Sequence, residues 1–542
     1  MPESTRRWNG WGFEGESLAA SEASQRWLEA RIGRGDPLAS VPESAVAAAP
    51  PRPVPDLGVT TASDLPTRLR HACGGSFPDL ITLRTGAIAA LPDAVAFPAS
   101  HDEVVCVLSR AAAAGVAVVI RGGGTSVVGG VTVRAGQAPV VVLSLERLSG
   151  LLSLDETSLL ATFAAGTLGP EVEAALAPRR LRLGHEPQSF ELSTVGGWAA
   201  TRSAGQRSTG VGKIDDLVAG LELATAAGAW RLAAQPASAA GPELRRLLIG
   251  SEGRLGVITA VTLRVRLAPE HERGLVVLLP DWDAGASACR AIMQGGVPVE
   301  VLRLSDPDES SFAASTLHLP AWLTRAGAAL LRRSRHRHGC LLLLGWAGGR
   351  GEVAQAREQA GEIFRAYGGV SLGARGWRSW RRDRFRHPYL RDALLDAGWG
   401  VDTLETAATW AQLPALRDAV RTALLRAAEE RGLRLTVLCH LSHAYRDGAS
   451  LYFTFLWPLQ AGRELVAWES FKSAATEALL AAGGTISHHH GVGTMHAPYL
   501  EQEVGPTGVE VLRRLAATLD PQGILNPGVL LQAAAGSSGE DS

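Results

Sequence analysis

A chain of 542 residues is too long to form one ordinary hydrophobic core, so its length predicts two or three domains. The net charge of −1 lacks the basic excess of a nucleic-acid-binding surface, and we expect no nucleic-acid partner. No window approaches the roughly 20 apolar residues of a membrane-spanning helix. The five scattered cysteines have no metal-binding spacing, and the polar N-terminus lacks the apolar core of a signal peptide. These features favour a cytoplasmic protein with reduced thiols and no metal, and leave open contact with a membrane surface.

The first two regions of the chain differ in their pattern of apolar residues. Residues 1–70 contain one amphipathic stretch, Leu18–Ile32, and a linker rich in proline and alanine, which together predict a helical and irregular extension. From residue 71 to residue 270, short β-branched runs alternate with helical segments, as in an α+β or α/β domain. The predicted strands are Val116–Ile120, Val140–Leu145 and Val257–Val265, and the predicted helices include His101–Ala114 and Pro170–Ala177.

A second module is predicted from residue 271 to residue 485, where strands again alternate with helices. This alternation favours an antiparallel sheet flanked by helices, so we assign the whole chain to the α+β class. The predicted strands are Gly274–Leu279, Val297–Leu304 and Cys340–Trp346, and the predicted helices are Ala284–Gln294, His318–Arg335, Glu352–Tyr367 and Glu464–Ala482. Residues 486–532, with a helix over Val509–Leu519, are expected to return to the active site, and the low-complexity tail 533–542 is expected to be disordered.

A glycine-rich run follows the first predicted strand, and residues 118–131 spell VVIRGGGTSVVGGV. Glycines can take positive φ and let backbone N–H groups approach an anion without a Cβ in the way. Successive N–H groups in such a turn form an anion-binding nest, to which the hydroxyls of Thr125 and Ser126 add donors. The spacing differs from the Rossmann GxGxxG motif, and a lone glycine run is by itself a weak signal.

Two later segments rich in small residues support a functional role for the glycine run. Residues 187–197 spell PQSFELSTVGG, and residues 250–259 spell GSEGRLGVIT. Together with FPASHDEVVCVLSRAAAAGVAVVIRGGGTS and the C-terminal LNPG, they resemble the FAD-binding domain of the vanillyl-alcohol oxidase (PCMH-type) family. The resemblance implies two α/β subdomains that bind FAD, followed by a substrate-binding cap domain. It implies FAD contacts from Arg121, Gly122, Gly123, Gly124, Thr125, Ser126, Pro187, Ser189, Ser193, Thr194, Gly196, Gly197, Thr201, Ser203, Glu252, Gly253, Gly256, Val257 and Ile258.

The residue directly after the three glycines bears on how the flavin is held. Members of this family with covalent flavin usually place a histidine at that position, where it forms a link to the flavin ring. Thr125 stands there in this chain and cannot form a histidyl link. The resemblance therefore implies that FAD is bound noncovalently and can dissociate.

Four further segments narrow the resemblance. They are RWNGWG at residues 7–12, HEP at 185–187, SHAYRDGASLYF at 442–453 and SHHHGVG at 487–493. With them the chain resembles the alkyldihydroxyacetonephosphate synthase family, also called alkylglycerone-phosphate synthases, from Trp8 to Leu530. The resemblance implies that acyl-dihydroxyacetone phosphate exchanges its acyl group for a fatty alcohol in ether-lipid synthesis, through a flavin N5 adduct and without net redox change.

The main alternative is a redox enzyme, an FAD-dependent dehydrogenase or oxidase of D-2-hydroxy acids or related alcohols. Such an enzyme would share the FAD-binding domain, the GSEGRLGVIT segment and the LNPG tail. It would carry an acidic-His-Gly motif where this chain has SHHHGVG, and it would not be expected to carry the WNGWG entry. These two differences favour the transferase, although another small organic substrate stays open.

Three consecutive histidines, His488–His490, form the most unusual motif in the chain. Adjacent side chains of an extended segment point to opposite faces, which disfavours convergence of the three imidazoles on one metal ion. Histidines on the surface are a second alternative. Their position, where related dehydrogenases carry the acidic-His-Gly motif, favours active-site histidines that donate hydrogen bonds or move protons near neutral pH. We expect His490 also to contact a substrate phosphate.

Four other side chains complete the predicted site. Tyr452 lies in an alternating strand and could be a core tyrosine, but the resemblance implies the catalytic acid–base group. Arg303 lies in an apolar strand, where a charge is costly unless it is paired, and it is implied as an organiser of the active site. Arg391 is either a surface residue or, as the resemblance implies, a ligand whose planar fork suits phosphate oxygens. His185, before the second small-residue segment, is a further catalytic candidate.

The implied lipid substrates are amphiphilic, so a site of membrane contact would be expected. Leu319–Arg337 is apolar in its first half and rich in arginine and histidine in its second half. It is a candidate for a surface helix at lipid headgroups, and an ordinary amphipathic helix packed on a sheet is the alternative. Peripheral membrane contact and a homodimer both stay open at this point.

Overall fold

The computed structural model describes residues 5–316 and 334–532. The predicted tail 533–542 and the larger part of the predicted segment Leu319–Arg337 lie outside the described residues. Within the described ranges, no helix combines the length and the apolar character needed to cross a membrane. The predicted boundary at residue 270 falls between two strands, Arg266–Leu267 and His271–Leu279.

The described chain alternates helices and strands along its whole length, as an α+β protein does. The helices are α1 Glu22–Ile32, α2 Leu65–Ala72, α3 Phe77–Thr85, α4 His101–Ala113, α5 Gly169–Leu176, α6 Val195–Thr201, α7 Ser208–Val211, α8 Ile214–Leu217, α9 Leu244–Leu248, α10 Trp282–Gln294, α11 Pro307–Thr316, α12 Arg350–Ala366, α13 Arg375–Asp383, α14 His387–Asp396, α15 Leu413–Glu429, α16 Glu464–Ala481 and α17 Leu500–Leu519. The strands are β1 Thr61–Ala62, β2 Ala94–Ala96, β3 Ala117–Arg121, β4 Val140–Ser144, β5 Leu151–Asp155, β6 Leu160–Ala164, β7 Leu181–Arg182, β8 Val218–Thr225, β9 Gly228–Leu232, β10 Val257–Arg264, β11 Arg266–Leu267, β12 His271–Leu279, β13 Val301–Ser305, β14 Cys340–Gly348, β15 Val370–Gly373, β16 Trp399–Thr409, β17 Thr436–Ala444 and β18 Gly448–Pro458.

Two sheets form the first half of the chain. The first has the order β1-β2-β4-β3, in which β2 and β3 both run parallel to β4. Its two inner strands, β2 and β4, are buried, almost entirely apolar and rich in valine, as is typical of strands covered on both faces. The second is antiparallel, with the order β5-β6-β10-β8-β9. The C-terminal segment returns to the first sheet, where Leu525 forms a parallel bridge with Val118.

The second half is built on one antiparallel sheet of seven strands, β15-β12-β14-β13-β17-β18-β16, which we call the cap sheet. Its register places three polar side chains in one row, because Glu405 of β16 pairs with Tyr452 of β18, and Tyr452 pairs with His440 of β17. Helices α10, α12 and α15 pack against this sheet. The α+β fold class and the antiparallel sheet flanked by helices are therefore confirmed.

The predicted helix His318–Arg335 lies almost entirely outside the described residues. The other predicted elements coincide with observed ones to within a few residues, with two larger differences. The predicted strand Val297–Leu304 begins only at Val301, and the helix predicted from Val509 begins at Leu500. The second difference arises at Gly505, whose φ of 74° bends the chain between two helical segments. Strands β16 and β17, which carry part of the site, were not predicted.

Candidate active site

The glycine loop, residues 122–130, begins where β3 ends. The backbone N–H groups of residues 122–126 donate to no atom of the described residues. The loop lies directly on the second small-residue segment: a Cβ on Gly123 would be 1.9 Å from the carbonyl oxygen of Leu192, and a Cβ on Gly122 would be 2.4 Å from the Oγ1 of Thr194. Glycine is required at both positions by this close approach. The result is a cradle of free backbone donors, which suits an anion.

Two arginines lie beside these donors. Arg121 is buried and donates from Nη1 to the carbonyl of Cys73 at 2.7 Å. Burial, together with the charge of nearby Arg6, lowers the pKa of Arg121 to about 10. Neither Arg121 nor Arg6 forms an ion pair among the described residues, and the lack of a counter-ion is costly for a desolvated cation. Free N–H donors next to unneutralised cations fit the diphosphate of FAD.

The hydroxyls of the second small-residue segment are used within the protein. Thr194 caps α6 by accepting from the N–H of Gly197 at 3.3 Å, and Ser193 accepts from the indole N–H of Trp198 at 2.7 Å. Thr201 donates to the carbonyl of Gly197 at 2.9 Å. Each of these hydroxyls thus has a partner within the protein, and their contacts with FAD stay a prediction. The other predicted residues of this segment shape the turn and the packing of α6, namely Pro187, Ser189, Gly196, Gly197 and Ser203.

Glu252, in the third small-residue segment, joins that segment to the histidine motif. Its φ is 48°, and its carboxylate accepts from the N–H groups of Val492 at 2.6 Å and Gly493 at 2.8 Å. Its carbonyl oxygen accepts from the amide of Asn526 at 2.7 Å. Burial raises the pKa of Glu252 to about 7. The carboxylate of Glu252 is thus occupied by hydrogen bonds within the protein. Of the predicted cofactor residues after it, Gly253 and Gly256 have positive φ, and Val257 and Ile258 lie at the start of β10.

His185 lies apart from the histidine motif in its contacts. It is fully buried, its Nε2 is 2.7 Å from the hydroxyl of Ser203, and its ring meets that of Trp198 edge-on at 5.0 Å. Burial, with a smaller effect of the Lys213 ammonium, lowers the pKa of His185 to about 3, so the ring is neutral. Its predicted catalytic role stays a prediction.

One buried carboxylate fixes the histidine motif. Glu405 accepts hydrogen bonds from the backbone N–H groups of His488 at 2.6 Å, His489 at 3.1 Å and His490 at 2.8 Å, and from the hydroxyl of Ser487 at 2.9 Å. Burial alone would raise the pKa of Glu405. The effect of His489, His490 and the backbone donors is larger and holds that pKa well below its usual value. We call residues 487–491 the histidine turn.

Two rings of the histidine turn, those of His489 and His490, lie against Tyr452, whereas the Nε2 of His488 is 2.7 Å from the hydroxyl of Tyr445. Tyr452 stacks on His440 at 4.9 Å between ring centroids and on His489 at 6.0 Å, and His490 meets it edge-on at 5.6 Å. Burial raises the pKa of Tyr452 to about 12, while a hydrogen bond with Thr403 lowers it in part. Burial lowers the pKa of all three imidazoles. The site thus holds a protonated phenol among neutral imidazoles.

Arg303 acts within this cluster through an ion pair. Its Nη2 is 2.5 Å from Glu309 and 3.2 Å from the Nδ1 of His440, and that Nδ1 is 3.1 Å from the other Glu309 oxygen. Burial opposes the charge of Glu309, but His440 and Arg303 lower its pKa to about 2. The pair therefore fixes the His440 ring under Tyr452, and it supplies the partner that a charge in an apolar strand needs.

Arg391, on α14, lies between the glycine loop and Tyr452. Its Nη2 donates to the carbonyl of Gly75 at 2.6 Å, and the N–H of Gly75 donates to the carbonyl of Ser126 at 2.7 Å. The charge of Arg391 is close enough to Tyr452 to lower the pKa of that hydroxyl. Its buried Nε has no partner among the described residues, and the guanidinium forms no ion pair with them. Because Arg391 has no counter-ion among the described residues, its guanidinium is available to bind a phosphate.

Glu405, His488 and His489 are also the described residues whose donor atoms come close enough to hold a metal ion, within 4.8 Å of one another. The carboxylate oxygens of Glu405 already accept four hydrogen bonds from the histidine turn. The two Nδ1 atoms of His488 and His489 face each other at 3.0 Å. A metal ion would compete with each of these bonds, so the geometry favours the hydrogen-bonded turn.

Comparison with known proteins places this arrangement in a family. A model described as FAD binding domain matches residues 92–233, and one described as FAD linked oxidases, C-terminal domain, matches residues 268–530. The alkyldihydroxyacetonephosphate synthase of Dictyostelium discoideum is 30% identical over 471 residues, which are 86% of this chain and 77% of that protein. The chain belongs to the alkyldihydroxyacetonephosphate synthase family. It is an enzyme, and its cofactor is FAD.

Solved structures confirm the fold of this synthase-family member. A structure of an alkyldihydroxyacetonephosphate synthase has a TM-score of 0.84 at 25% identity and covers 96% of this chain and 98% of that chain. A p-cresol methylhydroxylase structure, at 13% identity and a TM-score of 0.66 over 86% of this chain and 93% of that chain, shares the fold alone. Redox relatives also exist: the glycolate oxidase subunit GlcD of Bacillus subtilis is 27% identical over 81% of this chain and 88% of that protein. The predicted PCMH-type FAD-binding domain is confirmed.

Several residues of the site carried no local signal in the sequence. Glu405 and His440 lie on the two unpredicted strands, and Glu309 lies on α11, six residues after Arg303. The pairing of His440 with Tyr452 could have been predicted, because an Asp-Gly turn at residues 447–448 is typical of a hairpin between the two strands. No comparable signal marks Glu405.

Proposed function

We propose that this enzyme exchanges the acyl group of acyl-dihydroxyacetone phosphate for a fatty alcohol in ether-lipid synthesis. The observation that carries the proposal is the row of Glu405, Tyr452 and His440 across the cap sheet. The histidine turn covers this row, and the guanidinium of Arg391, which forms no ion pair among the described residues, lies close to it. A phosphate ligand next to a proton donor suits a phosphorylated carbonyl substrate. Membership of the synthase family supports the same substrate class.

The proposed reaction replaces one carbon–oxygen bond by another. The fatty acid leaves with both oxygens of its ester group, and the alcohol oxygen forms the ether bond to the same substrate carbon. The proton of the alcohol balances the departing carboxylate, so no electrons are gained or lost overall. Bound FAD supplies the isoalloxazine ring, an electron sink that no side chain can replace.

The protonation states in the site suit the movement of a proton on and off the substrate. With a pKa raised to about 12, Tyr452 carries its proton at neutral pH and can donate it. The imidazoles of His489 and His490, whose pKa values burial lowers, are neutral and can accept a proton. Arg391 would bind the substrate phosphate and so hold the reacting carbon near these groups.

An anaerobic comparison of two substrate classes tests the proposal. The purified yellow protein is mixed with acyl-dihydroxyacetone phosphate and a labelled fatty alcohol, and separately with a panel of D-2-hydroxy acids. We expect label in an alkyl product with the first mixture and no lasting loss of flavin colour with the second. Bleaching by a hydroxy acid, without alkyl product from the lipid, would instead establish a redox enzyme like the glycolate oxidase subunit GlcD.

Tyr452→Phe tests the proposed proton donor. The variant keeps the stacked ring and loses the hydroxyl, so we expect it to retain FAD and to lose about 100- to 10,000-fold in alkyl exchange. Tyr367→Phe, a tyrosine next to α12 in the same domain, is the matched control and should keep wild-type activity. Near-normal exchange by the Tyr452 variant would remove the hydroxyl from the mechanism.

A further inference from the structure

The first described residues fold into a small loop, which we call the N-terminal strap (residues 5–16). Its two ends are tied together by the bridge of Arg6 with Phe13 and by the N–H of Glu14, which donates to the carbonyl of Thr5 at 2.8 Å. The family models match only from residue 92 onward, so the strap lies outside the FAD-binding domain as those models define it.

One end of the strap reaches the glycine loop. The Nη1 of Arg6 donates to the carbonyl oxygen of Gly123 at 2.6 Å, at the middle glycine of the triplet that opens the loop. Burial lowers the pKa of Arg6, and the charges of Glu146 and Tyr389 oppose this only in part. Arg6 and Arg121 are close enough for each charge to disfavour the other. These two desolvated cations donate to carbonyl oxygens but form no ion pair among the described residues, an arrangement that favours an anion beside them.

The other side of the strap is fastened to α14, the helix that carries Arg391. Asp392 accepts from the backbone N–H of Trp11 at 2.8 Å and pairs with Arg7 at 3.3 Å. Gly12 packs flat on this helix, since a Cβ there would be 2.1 Å from the ring of Tyr389. These contacts hold the strap in one position, so that Arg6 is presented to the glycine loop by a rigid element.

We propose that Arg6 is a ligand of the FAD diphosphate, and that the N-terminal strap completes the cofactor site from outside the FAD-binding domain. The diphosphate carries two negative charges, and Arg6 and Arg121 supply two positive ones. The free N–H groups of residues 122–126 supply the hydrogen bonds. This assignment concerns cofactor binding alone and is independent of the reaction that the enzyme catalyses.

The rate of FAD release from the holoenzyme tests the proposal without substrate. Holoenzyme is diluted, and release is followed by the rise in flavin fluorescence for the wild type, Arg6→Gln and Arg6→Lys. Glutamine is polar but shorter and uncharged, so we expect release to be about 10- to 100-fold faster. Lysine keeps the charge and should give an intermediate rate. Arg26→Gln, an exposed arginine of α1, is the control and should match the wild type.

Salt dependence separates a lost charge from a disturbed strap. Raising the salt from about 50 mM to about 500 mM should favour net release from the wild type more than from Arg6→Gln, because salt anions compete with the diphosphate for a cation that the variant lacks. Wild-type release by Arg6→Gln would overturn the proposal. So would faster release with an unchanged salt dependence, since that result would assign Arg6 a purely structural role.

Discussion

Replacing Glu405 by glutamine keeps the shape of the side chain and removes its charge. One carboxylate oxygen accepts from Ser487, His489 and His490, and the other accepts from the N–H of His488 at 2.6 Å. A carboxamide has a single acceptor oxygen, and its NH2 group would face a backbone N–H. The variant therefore leaves at least one buried donor unpaired and turns the remaining bonds into neutral ones.

The size of the effect follows from the number of bonds. An unpaired buried donor costs roughly 1–3 kcal/mol, and each bond that loses its charged acceptor loses roughly 1 kcal/mol. With three bonds weakened and one lost, as the geometry indicates, we expect the free energy of unfolding to fall by about 4–6 kcal/mol. If the histidine turn moves to relieve this cost, His489 and His490 leave Tyr452, and activity falls in place of stability.

Urea unfolding and the alkyl-exchange assay, run side by side, measure both outcomes. Glu503→Gln is the matched control, since Glu503 accepts from the N–H of Ile486 at 2.7 Å but is exposed, so its loss should cost less than about 1 kcal/mol. The low pKa of Glu405 adds a pH signature: its contribution is complete above a pH of about 4.5 and is lost as the pH falls towards the folded-state pKa. A Glu405→Gln protein with wild-type stability and wild-type activity would refute the reasoning.

Three other predictions concern separate parts of the molecule. Because Thr125 cannot form a histidyl link, heat-denatured protein should release all its flavin into the filtrate, and yellow colour that stays with the polypeptide would contradict this. The pKa of His185, lowered to about 3 by burial, means that the unfolded chain binds a proton below pH 6.5 that the folded one refuses. As the pH falls from 6.5 towards 3, His185 should therefore lower the free energy of unfolding by up to about 1.4 kcal/mol per pH unit. Urea unfolding measured across this pH range should show a smaller decrease for His185→Gln. Glu309→Gln should weaken the hold of Arg303 on His440 and lower alkyl exchange about 10- to 100-fold with bound FAD retained, and a normal rate would show that this pair is dispensable.

The sequence predicted best those features that are local in the chain. The glycine loop, the strand before it and the helix His101–Ala113 each follow from a few consecutive residues. Arg303 could be assigned to an apolar strand, and the need for a partner followed from the cost of an unpaired charge. For these elements, local propensity and final structure agree.

The features that were missed depend on pairing between distant segments. Glu405 meets the histidine turn only because β16 pairs with β18 and the chain then returns from α16, and no short-range pattern encodes that path. The family resemblance implied Glu252 as a cofactor residue, and that role stays a prediction. No local pattern showed that its carboxylate accepts hydrogen bonds from the N–H groups of Val492 and Gly493, some 240 residues later. Partners of buried polar groups are thus harder to predict than the groups themselves.

The contacts of Asn526 set a constraint on biosynthesis. Its side-chain oxygen accepts from the N–H of Ile120 at 2.8 Å across a separation of 406 residues, and its amide donates to Glu252. On the ribosome, β3 and the glycine loop therefore emerge long before the residue that closes them exists. Until Asn526 is translated, the polar edge of β3 lacks its native acceptor, and a nascent chain stalled upstream should not retain flavin. We therefore expect cofactor capture to be a late event of synthesis, although the loop that receives the cofactor is made early.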